Sequence, residues 1–299
     1  MEHHLTFTTD SMDVCINNYE PYSFDYKGWT VSDKYVHNKN NPRGSSYAII
    51  FSSPLFSDEE ELNNYRLSGQ DIVDLITRLV PVCGLPSLNS PKYYDFLKDQ
   101  YIIDYKSTPQ GWSTNYSEML EVFEEAKQSK IRVNVNFVGI CRYAVIDSSP
   151  LKDLEHLLNT YDDSSEEVKF LLFLNYSILT SNDLNAFMLI AKALEIINVM
   201  YPFKHNHGKA DERVKNYFPE LVEIFKDITI KDLWTYSNTR KETRHFPNNK
   251  NNNLPHESLT KEERINMYKC TTCLLVNVLR DKFGLPHNEI VFSKQDNAL

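Results

Sequence analysis

The spacing of apolar residues changes near residue 150, and this change constrains the fold more than any other feature of the sequence. Before it, apolar or alternating runs of five to eight residues are separated by turn formers. After it, apolar residues recur every three or four positions in segments of 10 to 24 residues, the period of a helix with one buried face. The pattern predicts an α+β protein, with a mixed α/β domain over residues 1–150 and an all-α helical bundle over residues 151–299.

The N-terminal domain combines predicted strands with predicted helices. Residues 131–138 alternate apolar and polar side chains over eight positions, the clearest strand pattern in the chain. We expect residues 141–146 to pair with them across Gly139, and the apolar run 47–51 to form a buried strand. The period of a helix appears in two further segments, 69–80 and 117–129.

Two other N-terminal segments are less regular. Residues 1–46 are rich in tyrosines and turn formers, and no element is assigned to them. The acidic run 58–61 either begins a helix or lies in a solvated loop. Candidate catalytic side chains are present in this half but lack catalytic spacing: His37, Asp104 and Asp147.

The C-terminal half reads as a series of helices joined by polar loops. The predicted helices are 151–160, 165–180, 183–201, 219–237 and 260–283. Helix 183–201 has an apolar face wide enough for the middle of a bundle. The last helix should begin with a capping box formed by Thr260 and Glu263, and should stop at Gly284.

Charge is unevenly distributed along the chain, whose formal net charge is −9. Residues 1–160 carry 14 Lys and Arg against 22 Asp and Glu, a net of −8, whereas residues 161–299 carry 18 against 19. Phosphate neutralisation dominates nonspecific affinity for nucleic acid, so an acidic chain must contact RNA locally. Segment 238–250 is basic enough for that, and the acidic N-terminal half could recognise a trigger or cover this segment.

The remaining composition excludes several classes of function. Only eight glycines are present and no glycine-rich phosphate-binding motif occurs, which argues against the common nucleotide-binding folds. No apolar leader follows the first residues, and no apolar run approaches the length that spans a membrane. With five scattered cysteines, the expected location is the reducing cytoplasm.

Arg240 and His245 form the constellation with the clearest chemistry. Arginine keeps its charge near neutral pH, whereas histidine gains and loses a proton there. Together they can stabilise charge on a phosphate and move a proton, which suffices to cut RNA at its own 2′-OH without a metal. Because Phe246 precedes Pro247, the helix carrying Arg240 should end near His245, with the two side chains about 140° apart. A symmetric dimer would bring both pairs to one cleft.

The second half of the chain resembles the HEPN domain family over about residues 160–286. Segment 186–195, AFMLIAKALE, resembles the family's second helix. Segment 239–246, TRKETRHF, resembles the family's motif, in which an arginine and a histidine are separated by four to six residues, here by four. Segment 259–279 resembles its last helix. The resemblance implies an α-helical bundle that forms a homodimer and acts as a metal-independent endoribonuclease. It also implies a toxin or anti-phage defence effector, whose partners are RNA and an antitoxin or phage-derived trigger.

The resemblance assigns roles to individual residues. Arg240 would bind and stabilise the scissile phosphate, and His245 would transfer protons, giving a cyclic phosphate product. No cofactor and no metal is implied. The family alternative is a catalytically inactive HEPN-like protein that dimerises, binds RNA or serves as a scaffold. Independently of any family, the pair could be a solvated basic helix end, with His245 capping the last carbonyls.

Neighbouring residues extend the candidate site. Arg244, Lys241 and Asn238 are candidate phosphate-binding residues, although Arg244 could equally be a surface charge. Many active members of the family have a small polar residue directly after the arginine, where this chain has Lys241. Glu242 and Asn238 are the candidates to take the place of that small polar residue. Glu195 interrupts an apolar helix face and should either pair with a buried cation near Lys192 or border the cleft.

Two other groups of potential ligands favour structural roles. His205, His207 and Asp211 have the spacing of a metal clamp but no further His or Cys set accompanies them. Cys270 and Cys273 lie within a predicted helix among apolar residues, which is typical of buried core thiols.

Overall fold

The computed structural model divides the chain into two compact units, Met1–Leu158 and Asn159–Leu299. The division falls eight residues after the predicted boundary at residue 150 and lies within a helix. The structure describes residues 3–8, 12–16, 19–36, 46–56, 58–85, 92–97, 102–104, 144–146, 150–180, 183–201, 212–226, 228–240 and 258–287. Strands in the first unit and helices in both make the protein α+β, as predicted.

Among the described residues, the first unit contains eight strands. They are β1 (His3–Thr8), β2 (Met12–Ile16), β3 (Ser23–Tyr26), β4 (Trp29–Val36), β5 (Ser46–Ser52), β6 (Lys92–Leu97), β7 (Ile102–Asp104) and β8 (Ala144–Ile146). Six of them form an antiparallel order β3-β4-β5-β1-β6-β7. The other two extend it, because β2 also pairs with β5 and lies parallel to β8.

The tyrosine-rich segment 1–46, to which the sequence assigned no element, contains the first four of these strands. Strands β3 and β4 form a hairpin whose two loop residues, Lys27 and Gly28, both have positive φ (49° and 83°). A two-residue loop of this type matches the twist of paired strands. The first three strands have only four to six residues, too few to establish an alternating pattern from the sequence alone.

Strand β5 confirms the prediction for residues 47–51, and its Tyr47, Ile49 and Phe51 are buried. The prediction for residues 141–146 is confirmed only for β8, which pairs with β2. The predicted strand 131–138 and helix 117–129 lie outside the described residues.

Helix α1 (Glu59–Leu79) begins ten residues before the predicted helix 69–80. Its N-cap is Asp58, whose side chain accepts a hydrogen bond from the backbone N–H of Glu61 at 2.9 Å. The acidic run 58–61 therefore begins a helix. Trp29 of the sheet contacts this helix, since its indole N–H donates to the Ser68 hydroxyl at 3.3 Å.

Helix α2 (Pro150–Tyr161) contains the division between the units, and the helices after it belong to the second unit. They are α3 (Glu166–Thr180), α4 (Asp183–Met200), α5 (Glu212–Tyr217), α6 (Ile230–Thr239) and α7 (Lys261–Lys282). Helix α7 is the innermost, because every residue from Cys270 to Arg280 is buried, and it packs on α3, α4 and α6. These helices form the all-α bundle expected after residue 150.

The ends of α7 agree with the sequence prediction. Thr260 is the N-cap and forms a reciprocal capping box with Glu263. At the other end Gly284 has φ 71°, and the Leu285 N–H donates to the Arg280 carbonyl at 2.8 Å. This is the Schellman geometry that satisfies the last carbonyls of a helix.

The prediction of a single helix over residues 219–237 is wrong. A short 3-10 helix, Pro219–Leu221, is followed by turns, and α6 begins only at Ile230. Thr229 has an extended backbone and forms a capping box with Asp232, which ends any continuation from the preceding segment. No helix among the described residues is long and apolar enough to cross a lipid bilayer.

Candidate functional site

Arg240 lies at the C-terminal end of α6 rather than within a helix. Its backbone is extended (φ −93°, ψ 151°), and its N–H donates to the Tyr236 carbonyl at 3.1 Å. The helix thus ends at Thr239, and the prediction that it continues to about His245 is wrong. The offset of 140° between the two side chains, which assumed a continuous helix, no longer applies.

Polar side chains explain the early end of α6. Ser237, Asn238 and Thr239 each donate a side-chain hydrogen bond to the carbonyl four residues earlier, at 2.9, 2.8 and 2.7 Å. Such bonds stabilise the last carbonyls, but residues of this kind have low helix propensity and compete with the backbone. Three in succession therefore favour termination of the helix.

The guanidinium of Arg240 is held between two helices. Its Nη2 lies 2.5 Å from Oε1 of Glu263 in the first turn of α7, and its Cζ lies 6.0 Å from the centre of the Tyr236 ring. The arginine side chain is only 21% exposed and the glutamate side chain 13%. The interpretation of Arg240 as part of a solvated helix end is therefore wrong. We call Arg240, Glu263 and Tyr236 the Arg240 site.

The two carboxylate oxygens of Glu263 accept hydrogen bonds from two different partners, Arg240 and the backbone of Thr260. While Oε1 accepts from Arg240, Oε2 accepts from the Thr260 N–H at 2.9 Å and so caps α7. Burial acts to raise the pKa of Glu263, but the hydrogen bonds from Arg240 and from Thr260 outweigh burial, and the pKa is lowered. Glu263 is therefore anionic at neutral pH and cancels the charge of Arg240 locally.

Tyr236 contributes an aromatic face with a neutral hydroxyl. Burial raises its pKa, the negative charges of Asp232 and Glu263 raise it further, and Arg240 opposes them. The phenol thus keeps its proton at neutral pH. Neither Tyr236 nor Glu263 was among the sequence candidates. The capping box indicated a helix start at Glu263, but nothing in the local sequence indicates that its other oxygen meets a residue 23 positions away.

The other candidate residues are not all brought to this site. Asn238 is exposed and its amide donates to the Trp234 carbonyl. Glu195 pairs with Lys192 one turn earlier on α4 at 3.0 Å, and their side chains are 44% and 47% exposed. Glu195 thus pairs with Lys192, but on the surface of the helix, whereas the sequence alternative placed the cation in the interior. Four candidates lie outside the described residues: Lys241, Glu242, Arg244 and His245.

A second polar cluster, missed in the sequence, surrounds the C-terminal end of α7. The Tyr201 hydroxyl donates to Asp281, and burial followed by this carboxylate raises the pKa of Tyr201. The imidazole of His287 lies between two acids, with Nδ1 2.9 Å from Oε1 of Glu220 and Nε2 3.7 Å from Oδ1 of Asp281. These contacts tie α4, α7 and the short 3-10 helix together. Their members are far apart in sequence, so no local motif reveals them.

The first unit contains a carboxylate of a different kind. Asp33 on β4 accepts from the Tyr19 hydroxyl at 2.9 Å and the Tyr22 N–H at 3.3 Å through one oxygen, and from the Tyr47 hydroxyl at 3.1 Å through the other. Burial, then the hydrogen bond and charge of Asp33, raise the pKa of Tyr19 to about 12. Burial and then Asp33 also raise the pKa of Tyr47. These phenols therefore remain donors near neutral pH.

Potential metal ligands are separated or buried. Cys270 and Cys273 are buried within α7, as predicted for core thiols, and burial raises the pKa of Cys270 to about 12. His205, His207 and Asp211 lie outside the described residues. In the part of the chain that the structure describes, no group of three His, Cys, Asp or Glu side chains is arranged to hold a metal ion.

No protein-family model, curated protein or solved structure matches this chain.

Proposed function

We propose that this protein is a metal-independent endoribonuclease of the HEPN type, with Arg240 and His245 as its catalytic residues. The observation that carries the proposal is the position of Arg240 at the junction of α6 and α7. His245 follows Arg240 by five positions in the sequence, and the first turn of α7, which comes later in the chain, is held to Arg240 by Glu263. A preorganised cation and a histidine of suitable chemistry thus belong to one short stretch of chain.

The reaction requires only groups that the chain and the RNA supply. The 2′-oxygen of the RNA attacks the adjacent phosphorus, and the bond from phosphorus to the 5′-oxygen breaks. A His245 imidazole takes the proton from the 2′-OH, and an imidazolium, the same one or His245 of the second protomer in the proposed dimer, gives a proton to the departing 5′-oxygen. Arg240 stabilises the charge that develops on the phosphate oxygens. The products are a 2′,3′-cyclic phosphate and a 5′-hydroxyl.

The proposal includes a homodimer in which two such sites face one groove, in the cytoplasm. Arg244, Lys241 and Asn238 would contact neighbouring phosphates, since Arg and Lys neutralise phosphate charge along RNA. Asn238 is exposed and so accessible to a strand. A role as a toxin or in anti-phage defence would fit a ribonuclease of this kind, with an antitoxin or a phage-derived trigger as its regulator.

The test is to compare cleavage of RNA by the wild-type protein, Arg240→Ala and His245→Ala, with EDTA present. We expect the wild type to cut and both variants to lose at least about a hundredfold in rate, the scale of general acid–base catalysis. His207→Ala and Arg264→Ala are matched controls, and both should retain activity. A folded wild type that leaves RNA intact, or cleavage that EDTA abolishes, would contradict the proposal.

The ion pair also favours a second candidate, a non-catalytic binding or scaffold protein. Arg240 is mostly buried and joins two helices through Glu263, which is a sufficient structural reason for an arginine at this position. In that case Arg240→Ala would lower the free energy of unfolding, whereas His245→Ala would change neither stability nor RNA integrity in cells expressing the protein. Self-association in solution without cleavage would support this candidate.

A further inference from the structure

We propose that Glu263 regulates the Arg240 site as an internal competitor of RNA: its carboxylate occupies the guanidinium in the RNA-free protein, and a phosphate of the substrate must displace it. The inference rests on the proposed ribonuclease function and adds a regulatory residue to it. Carboxylates and phosphates both accept paired hydrogen bonds from the flat fork of an arginine. The two anions therefore compete for the same donor.

The geometry makes this competition strong. Nη2 of Arg240 donates directly to Oε1 of Glu263, so the two ions form a charge-assisted hydrogen bond. Both side chains are mostly shielded from solvent, at 21% and 13% exposure, so water screens their attraction less than that of a surface pair. A phosphate that approaches Arg240 also meets the negative charge of Glu263.

Glu263 can release the arginine because it has other partners. Its second oxygen accepts the Thr260 N–H at 2.9 Å, and it lies in the first turn of a 22-residue helix, whose N-terminal end favours a negative charge. The carboxylate is therefore stabilised in place when Arg240 exchanges it for a phosphate. Arg240 itself follows the last residue of α6 and has an extended backbone.

Arg240 also keeps a defined position during the exchange. Its guanidinium lies 6.0 Å from the centre of the Tyr236 ring, within the range of a cation–π contact. Hydrogen bonds to an anion use the N–H groups of the guanidinium, whereas the cation–π contact depends on its charge and its distance from the ring. Replacement of carboxylate by phosphate at the N–H groups is therefore compatible with the contact to Tyr236.

The experiment measures affinity for a single-stranded RNA whose 2′-OH groups are all methylated, so that it is bound but not cut. The full chain is compared with Glu263→Gln and with the matched control Glu262→Gln, which removes the same charge from an exposed neighbouring residue. Glutamine retains the capping box at position 263, so the variant should fold. We expect Glu263→Gln to lower the Kd about tenfold and Glu262→Gln to lower it less than about twofold.

The outcomes separate the two proposals. If unmodified RNA is cut by the wild type but the two variants bind equally, or Glu263→Gln binds more weakly, the regulatory role of Glu263 is wrong while the ribonuclease stands. If the wild type neither binds nor cuts RNA, the proposed function is wrong and this inference fails with it. Thermal unfolding of both variants checks that the comparison is between folded proteins.

Discussion

Asp33 in the first unit and Glu263 in the second are both carboxylates with two engaged oxygens, but their partners differ in charge. Asp33 accepts hydrogen bonds from two phenols and a backbone N–H, which are neutral donors. Glu263 receives one bond from a backbone N–H and one from the cation Arg240. Neutral donors fix the position of a carboxylate, whereas a cation can exchange one anion for another.

The difference indicates which carboxylate is structural. Tyr47 is completely buried, and removal of Asp33 would leave its hydroxyl far from water. At the Arg240 site both partners keep some exposure, and the cation is of the type that binds phosphate. The comparison assigns a folding role to Asp33, and the exposure at the Arg240 site is compatible with the ligand-binding role proposed above for Arg240.

The largest effect on stability is expected from Asp33→Ala. The buried hydroxyl of Tyr47 and the hydroxyl of Tyr19 lose their acceptor, which should lower the free energy of unfolding by about 3 kcal/mol. Urea unfolding followed by Trp29 fluorescence, with the other tryptophans replaced by phenylalanine, reports on the first unit. A loss below about 1 kcal/mol would remove Asp33 from its structural role.

A smaller effect is expected from Arg240→Ala, at about 1–2 kcal/mol, because the partly shielded ion pair is lost while Glu263 keeps its helix cap. Arg240→Lys should recover part of this stability, since an ammonium also pairs with the carboxylate, but it lacks the planar fork. Fluorescence of Trp234 on α6, in a protein without other tryptophans, follows the transition. Equal stability of Arg240→Ala and wild type would show that the pair is unimportant for folding.

The two carboxylate sites should respond to opposite extremes of pH. The pKa of Glu263 is lowered from 4.5, so its stabilisation is present above that value and is lost as the pH falls through the lowered pKa. The pKa of Tyr19 is raised from 10.0, so its contribution is present below 10.0 and is lost as the pH rises through about 12.

Urea midpoints measured across pH should therefore fall on both sides. Glu263→Gln should flatten the acid limb of this profile, and Tyr19→Phe should flatten the alkaline limb. If either variant instead flattens the opposite limb, the assignment of donors and acceptors at that site is wrong.

Local patterns in the sequence predicted the helices of the second unit better than they predicted the site. The ends of α7 follow from Thr260, Glu263 and Gly284, because capping depends on residues only a few positions apart. Arg240 was identified by its chemistry, but its contact with Glu263 depends on how α6 packs on α7. Contacts across such sequence distances cannot be read from a local motif.

The failures in the first unit have a related cause. Strands β1 and β2 are held by pairing with strands that are distant in the sequence, and their short apolar patterns carry little signal alone. The three donors to Asp33 come from the segments around Tyr19, Tyr22 and Tyr47, which only the folded sheet brings together. The abundance of tyrosines before residue 50 was therefore a sign of structure, although the sequence alone did not say which one.

The smallest effect is expected at the exposed pair of Lys192 and Glu195, which calibrates the Arg240 site. These side chains are 47% and 44% exposed, against 21% and 13% for Arg240 and Glu263. A double-mutant cycle with alanine at both positions should give a coupling of about 0.3 kcal/mol that disappears in 1 M salt, where the screening length is roughly 3 Å. RNA cleavage should be unchanged in Glu195→Ala, because the carboxylate is occupied by a neighbouring lysine on the helix surface. A tenfold loss of cleavage without loss of stability would instead mean that Glu195 borders the RNA cleft, and the contrast between an exposed structural pair and a shielded functional one would not hold.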